Sequence, residues 1–565
     1  MARTISIGAQ GFEDLRVRNN FYVDKTDFVR AWWQADDQVT LICRPRRFGK
    51  TLNLDTVRCF FSTEFAGRGE ELFDGLDVWQ DSAIREMQGK VPVVALSFAR
   101  VKQMSIAGML LRINELVVSE FHAHEYLYSW EKLSPTDRSR LDRIRDDMDP
   151  VTCAGALNML CDLLRRYHGV RPVVLLDEYD APMQEAWTGG FWDEATSFMR
   201  DLMNSTFKTN PSLERALITG VTRVGRESIF SDLNNLKVIT SSSAEYRDAF
   251  GFTQDEVDEA LQEYGLSARR SDVCAWYDGF TFGGQDGIYN PWSVTQFLAN
   301  DGIIDTYWAN TSGNGLISSV VRRGDNDLKH DFEVLLQGGA VDKVIDEQVV
   351  FSELRTRPNA VWALLLGAGY VTSPGPVPQN LAETSRRLVL TNREVELSFD
   401  RMVEGWFGQV ARSYGDFADA LLAGDVDAAS DYLSEVVTAC ASSFDSATRP
   451  SERSEPERFY HGLVLGLLVR LRGRYSVESN RESGFGRYDV ALVPTSGAEG
   501  GDPALILEFK VFDPRREDDL EDTVLRALGQ IDDKRYVVGL AERGFAPERI
   551  RTYGIGFRGK EVLVG

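Results

Sequence analysis

The sequence predicts an α/β protein of several domains, and three stretches carry that prediction. Val39–Cys43 is an aliphatic run that breaks into Phe48-Gly49-Lys50-Thr51; Pro172–Glu178 is four aliphatics ending in two acids; and GRYDVALVP is followed, after a polar loop, by ALILEFKV. Continuous apolar runs of this length read as strands buried on both faces, the hallmark of parallel sheets covered by helices. Each run ends in charged or hydroxyl side chains, so each also marks a site.

In the first stretch, Arg47, Gly49, Lys50 and Thr51 form the end of a phosphate-binding loop. In such a loop backbone N–H groups cradle phosphates, the lysine reaches the β- and γ-phosphates, and the hydroxyl holds Mg²⁺. The first glycine of GxxxxGK[ST] is replaced by Arg44, and a Gly-Lys-Thr tripeptide alone also suits an ordinary turn. The second stretch separates the two readings. A buried strand ending in Asp177-Glu178 is a Walker B arrangement, in which Asp177 holds Mg²⁺ through water and Glu178 orients and deprotonates the attacking water. A solvated strand edge is the alternative for the acid pair by itself. Loop first and acidic strand later is the order nucleotide binding requires.

At 565 residues the chain exceeds what one core supports, and length alone suggests roughly three or four domains. Apolar content of 43% marks a globular chain, and the net charge of −23 excludes a surface that coats nucleic acid along its whole length. Residues 446–565 nevertheless carry 19 Lys/Arg against 20 Asp/Glu, so a nucleic-acid site belongs there if anywhere. Six cysteines without a CxxC pair argue against zinc and disulfide frameworks. No signal-peptide core or apolar run near the ~18 residues of a membrane span is present, which suggests a cytoplasmic protein without membrane contact.

Four domains are expected: 1–245 around the phosphate loop, a helical lid with aromatic loops at 246–345, a winged-helix-like and helical module at 346–445, and a C-terminal α/β domain at 446–565. Within the first, Asp24-Lys25-Thr26 suits a helix cap or a lining for the base, Leu52–Phe61 a helix aimed at the phosphates, and Val91–Phe98 a strand. Met104–Trp130 reads as helix, Lys132–Asp149 as a charged, solvated helical stretch, and Cys153–Tyr167 as an amphipathic helix leading to the acidic strand. Ala216–Thr219 is one more strand, with Thr219, Thr222 and Arg223 as polar groups that sense the terminal phosphate or serve as loop residues. Thr253 and Glu256 form a capping box, and the aromatics of 252–330 suit core more than base platforms. Asn359–Ala368, a Pro/Gly loop and RRLVLTN give the helix and hairpin of the third module. Helices run from Val395 to Phe444, and Ser446–Pro456 is the clearest linker.

In the C-terminal domain alternation places Ile506, Glu508 and Lys510 on one strand face, and a hairpin brings Asp489 beside them. Two carboxylates at a strand-pair end suit Mg²⁺, and an adjacent lysine can polarise water toward a phosphodiester. A cross-strand ion pair is the alternative, but acids inside an apolar strand are costly without a function. Glu457, Gln530 and Tyr536 are accessory candidates, and Arg470, Arg472, Arg474, Arg481 and Arg487 could grip a phosphate backbone.

The stretches FYVDKT, RPRRFGKTL, LLDEYDAP, ITGVTRVG, FGFT, WYDGF, YNPWS, YWANTSGN, ERFYH, GRYDVAL, ILEFKV and ALGQI resemble a bacterial family joining an AAA-ATPase-like P-loop domain to a C-terminal PD-(D/E)XK nuclease domain. The resemblance implies ATP and Mg²⁺ as cofactors, with Lys50 and Thr51 in the P-loop, Asp177 and Glu178 in Walker B, and Asp489, Glu508 and Lys510 in the nuclease core. Glu457 and Gln530 match its accessory positions, and a P-loop lacking the first glycine is usual in it. It further implies an ATPase and metal-dependent endonuclease acting on nucleic acid, DNA before RNA, in processing or in defence against mobile elements or phage. ATP-dependent homo-oligomerisation, with Arg223 acting across a subunit boundary, is compatible with AAA-type sites. The competing reading is an ATP-switched sensor whose C-terminal domain only binds nucleic acid or a protein partner.

Overall fold

The computed structural model describes residues 2–222, 229–230, 232–308, 326–336, 338–347, 360–378, 380, 385–399, 414–442, 464, 468, 471, 474–479, 482–483, 486–487, 489–497, 501–559 and 561–565. The chain forms two compact units, residues 1–323 with 337–398, and 324–336 with 399–565.

The first unit is built on five parallel strands, β1 (Val39–Cys43), β2 (Val93–Ser97), β3 (Val173–Asp177), β4 (Arg215–Gly220) and β5 (Leu236–Ile239), in the order β2-β3-β4-β1-β5. Because side chains alternate along a strand, each strand feeds two cores. Val39 and Leu41 join one with Val174, Leu176, Ala216 and Ile218, whereas Ile42 joins the other with Val173, Leu175 and Leu217. The first core is covered by the helices Ile106–Ala123, Pro150–His168 and Trp192–Phe207, and the second by Lys50–Phe61. Pro150–His168 shows why these helices begin and end where they do. The Asp149 carboxylate accepts the Val151 and Thr152 N–H groups, Pro150 needs no donor partner, and Gly169 closes the helix at φ +73°.

Two local expectations change. Lys132–Asp149 holds only the short helix Pro135–Leu141, and Leu133, Leu141, Ile144 and Met148 are buried in the first core. Its few apolar residues therefore anchor a turn-rich segment instead of leaving a wholly solvated face. Asp24 does not cap the following helix: its carboxylate accepts the Thr26 N–H and hydroxyl, and that hydroxyl accepts the Val78 N–H. Lys25 instead reaches Glu256 at 2.6 Å and the Asp248 carbonyl at 2.7 Å.

Residues 252–308 form helices Gln254–Glu263, Arg270–Tyr277 and Pro291–Ala299 and the hairpin β6 (Phe280–Phe282) and β7 (Gln285–Ile288). The Thr253–Glu256 capping box is present, and Tyr277, Tyr289, Phe280, Phe282 and Phe297 are buried as core residues. A three-stranded antiparallel sheet, β8 (Val341–Val344), β10 (Ser385–Leu390) and β9 (Val371–Thr372), accompanies the helix Ala360–Ala368.

In the second unit β11 (Tyr475–Ser479), β14 (Val490–Pro494), β15 (Ala504–Val511), β16 (Ile550–Arg558) and β17 (Glu561–Val564) form one sheet in that order, and β12 (Glu482–Ser483) pairs with β13 (Gly486–Arg487). Only β15 and β16 run parallel, joined through the helix Leu520–Asp533. That helix lies close on the sheet because Gly554 has no side chain; a Cβ there would meet the Val524 carbonyl at 2.6 Å. The helices Tyr414–Ala423 and Val426–Ser442 share a core with the opposite face of the sheet, where Phe417, Leu421, Leu433 and Val436 join Leu492, Leu505, Leu507 and Phe557.

Candidate functional site

In the first unit β4 is inserted between the loop-bearing β1 and the acidic β3, which brings three hydroxyl and carboxylate groups together at the carboxyl ends of the strands. Asp177, buried at the end of β3, accepts the Thr51 hydroxyl on Oδ2 at 2.7 Å and the Thr219 hydroxyl on Oδ1 at 2.6 Å. Lys50 begins the helix after the loop and donates to the Arg44 and Pro45 carbonyls at 3.0 and 2.7 Å. Burial holds its ammonium below the ordinary lysine range, partly offset by Glu178, Asp177 and Asp180. Burial raises Glu178, against Lys50, and its backbone sits at φ +49°, a left-handed strain of about 1–2 kcal/mol that places this acid immediately past the strand.

The loop's shape comes from large side chains where glycine is absent. Arg44 is fully buried, donates to the Cys43 and Thr240 carbonyls at 3.0 and 2.6 Å, and lies 4.6 Å from the Phe282 ring centre. Phe48 packs against Phe280 and Phe282, and Trp308 Nε1 donates to the Arg46 carbonyl at 3.1 Å. Glu394 accepts Ser293 Oγ at 2.7 Å and the Trp308 N–H, tying the three-stranded module to the same loop. Gly49 at φ +74° makes the turn into the helix, whose free N–H groups face any bound anion.

In the second unit the register pairs Val490 with Leu507, so Asp489 and Glu508 meet where β14 enters the sheet. Asp489 Oδ2 accepts the Phe509 N–H at 2.8 Å. Glu508, 1% exposed, accepts Lys510 Nζ at 3.0 Å and the Gln530 amide on Oε1, and Gln530 also donates to the Tyr536 hydroxyl at 3.2 Å. Burial raises the Glu508 carboxyl to about 7, with Asp489 reinforcing and Lys510 opposing. Its Oε2 is buried without a hydrogen-bond partner among the described residues. An orphaned carboxylate oxygen next to a second carboxylate fits a hard divalent cation, which would satisfy both.

Residues 6–230 match the family model of a predicted AAA-ATPase, AAA-ATPase_like, and residues 455–565 match that of the PD-(D/E)XK nuclease superfamily. The chain joins an AAA-ATPase-like domain to a PD-(D/E)XK nuclease domain. A protein of Azotobacter chroococcum mcd 1, described as an uncharacterized protein in the vnfD 5′ region, is 28% identical over 100% of this chain and 98% of its own length.

The structure brings together Lys50, Thr51, Asp177, Glu178 and Thr219 in the ATPase-like domain, and Asp489, Glu508, Lys510 and Gln530 in the nuclease domain. Arg47, at φ +66°, stacks its guanidinium 4.4 Å from the Trp292 ring centre. Thr222, a candidate phosphate sensor or loop residue, donates its N–H and its hydroxyl to Asp180 Oδ2 at 3.0 and 2.9 Å. Arg223 and Glu457 lie outside the described residues, as do Arg470, Arg472 and Arg481 and the side chain of Arg487. Arg474 is paired with Asp502 at 2.5 Å. Sequence reasoning passed over Arg46, Asp180, Gln184 and Glu394; an acid three residues past Asp177 was the available signal for Asp180. Among the described residues no helix is long and apolar enough to cross a membrane.

Proposed function

We propose that the protein is an ATP-regulated, Mg²⁺-dependent nuclease that cleaves phosphodiester bonds of DNA. The observation that carries this reading is the buried Oε2 of Glu508 beside Asp489, without a hydrogen-bond partner among the described residues, in a chain that also holds the Lys50–Thr51–Asp177–Thr219 constellation.

In the nuclease domain Asp489 and Glu508 would hold the metal, and in the ATPase-like domain Thr51 and Asp177 would. Bound there, a divalent cation supplies Lewis-acid polarisation and charge neutralisation at phosphoryl oxygens. Gln530 and Lys510 hold Glu508 in one orientation, and the Phe509 N–H does the same for Asp489. The Lys510 ammonium would orient the attacking water and stabilise charge on the phosphodiester. At the other site, binding of a triphosphate requires Lys50 to exchange its two carbonyl partners for phosphate oxygens. Glu178 then orients water toward the terminal phosphate, while Thr219 keeps Asp177 fixed. Arg223 would complete the site from a neighbouring copy, with ATP driving self-association.

The test is cleavage of plasmid and single-stranded DNA with Mg²⁺, with and without ATP, by wild type, Lys50→Ala and Glu508→Ala, alongside mass by light scattering. Loss of cutting in Glu508→Ala together with a changed ATP response in Lys50→Ala supports the coupled reading. ATP hydrolysis by a wild type that cuts neither DNA substrate would replace it with the sensor reading.

A further inference from the structure

Three consecutive carbonyls of the phosphate loop are held by side-chain donors. Lys50 Nζ donates to the Arg44 and Pro45 carbonyls at 3.0 and 2.7 Å, and Trp308 Nε1 donates to the Arg46 carbonyl at 3.1 Å. A loop that cradles phosphate turns N–H groups toward the ligand. Here two carbonyl oxygens converge on the lysine ammonium, and the β- and γ-phosphate oxygens of a nucleotide compete with them for its N–H donors. Buried carbonyls that lose the lysine must find other donors, which turns the peptides on either side of Pro45. The Arg46 carbonyl follows immediately.

Trp308, buried, is bonded in two directions. Its indole holds the loop, and its backbone N–H donates to Glu394 Oε1 at 2.5 Å. Glu394 is 1% exposed and accepts the Ser293 hydroxyl on Oε2 at 2.7 Å. It lies in the first turn of the helical residues 393–399, which Asn392 anchors: its side-chain oxygen accepts the Val395 N–H at 3.1 Å, and its amide donates to the Asp278 carbonyl at 2.7 Å. The chain passes from the first unit to the second within this segment. Gly369 adds a second close approach to the loop, because a Cβ there would meet Pro45 Cγ at 2.9 Å. A shift at residues 45–46 therefore meets packed neighbours and is passed on to them.

We propose that the Trp308 indole restrains the empty phosphate loop, that binding of a nucleoside triphosphate breaks this bond, and that Glu394 carries the change into residues 393–399. This rests on the nucleotide-binding reading above and names the regulation of that site. The sign follows from linkage. An interaction present only in the empty state opposes nucleotide, so removing it tightens binding.

The experiment measures dissociation constants for a non-hydrolysable ATP analogue, with Mg²⁺, on full-length wild type, Trp308→Phe and Ser293→Ala. Amide exchange over residues 393–399 is followed with and without the analogue. Trp308→Phe keeps an aromatic ring against Phe280 and Tyr370 and removes the indole donor. It is expected to bind the analogue about three- to tenfold more tightly, the worth of one hydrogen bond, and to lose the exchange difference. Ser293→Ala releases one oxygen of Glu394 and leaves the indole bond in place. It should keep the wild-type affinity within about twofold and lose at least half of the exchange difference. Unchanged or weaker binding by Trp308→Phe overturns the restraint. A wild type that binds the analogue without an exchange difference at 393–399 overturns the transmission, as does an undiminished difference in either variant. If Trp308→Phe does not fold, the wild type and Ser293→Ala decide by the same exchange criterion. If the wild type binds no nucleotide, the nucleotide-binding reading itself fails, a result distinct from each of these.

Discussion

Replacing Glu508 with glutamine tests the metal site without relying on cleavage. In the metal-free fold this carboxyl is raised from the ordinary 4.5 to about 7, chiefly by burial and then by Asp489. Below pH 4.5 the group is protonated whether folded or unfolded and costs nothing. Between 4.5 and 7 the unfolded chain gives up the proton and the fold keeps it, so stability falls as pH rises. Above 7 the whole penalty is in place, about 3 kcal/mol at 1.4 kcal/mol per tenfold. Glutamine keeps the shape, can still accept from Lys510 and Gln530, and can turn its amide toward Asp489. Calorimetric melting of the full-length protein in chelator should therefore show the transition of the C-terminal unit higher in Glu508→Gln than in wild type at pH 8. With about 2–4 °C per kcal/mol for a unit of this size, the gap is roughly 6–12 °C, shrinking toward zero at pH 5. Added Mg²⁺ should raise the wild type and leave the variant unmoved, by about 2.7 kcal/mol at a hundredfold excess over the dissociation constant. A gap that does not change with pH, or a variant that melts below wild type at pH 8, would show that Glu508 is not a strained acid awaiting a cation.

Other perturbations have equally definite outcomes. Arg44→Gly restores the common first glycine of a P-loop yet removes two hydrogen bonds and a buried guanidinium; it should lower the stability of the first unit by about 3 kcal/mol or more and should not tighten ATP binding, both readable by melting with and without nucleotide. Gly279→Ala meets the Thr391 carbonyl at 1.9 Å from a backbone at φ +102°, so it should destabilise the same unit by about 3 kcal/mol or more in urea titration. Lys510→Ala should cut DNA cleavage about 10²-fold or more and, because Glu508 loses the nearby cation that lowers its pKa, should shift half-maximal Mg²⁺ binding to higher pH in titration calorimetry.

Candidate sites were readable wherever a strand pattern ran into charged or hydroxyl side chains. Val39–Cys43, Val173–Asp177 and Ala504–Val511 are strands because β-branched and aliphatic runs bury on both faces, and Lys50, Thr51, Asp177, Glu508 and Lys510 follow from their positions at or near the ends of those strands. The capping box at Thr253 was legible for the same reason, since it depends on residues three apart. Segments whose fate depends on distant partners were not legible. The charged stretch 132–149 is anchored by four apolar residues that find a core made elsewhere, and Lys25 is drawn away from its own helix by Glu256, far along the chain.

The sequence by itself determined which elements exist and which residue types sit at their ends, because alternation, capping and strand length are properties of neighbours along the chain. Only the tertiary structure decided that β4 lies between β1 and β3, which puts Thr219 and Thr51 on the two oxygens of Asp177. It also decided that Arg44 fills a buried site against Thr240 and Phe282, that the helices of 414–442 share a core with the C-terminal sheet, and that Gln184 hydrogen-bonds to both Arg46 and Asp180. Strand order, burial and contacts between residues remote in sequence are set by how the layers close on one another, and no local pattern encodes that closure.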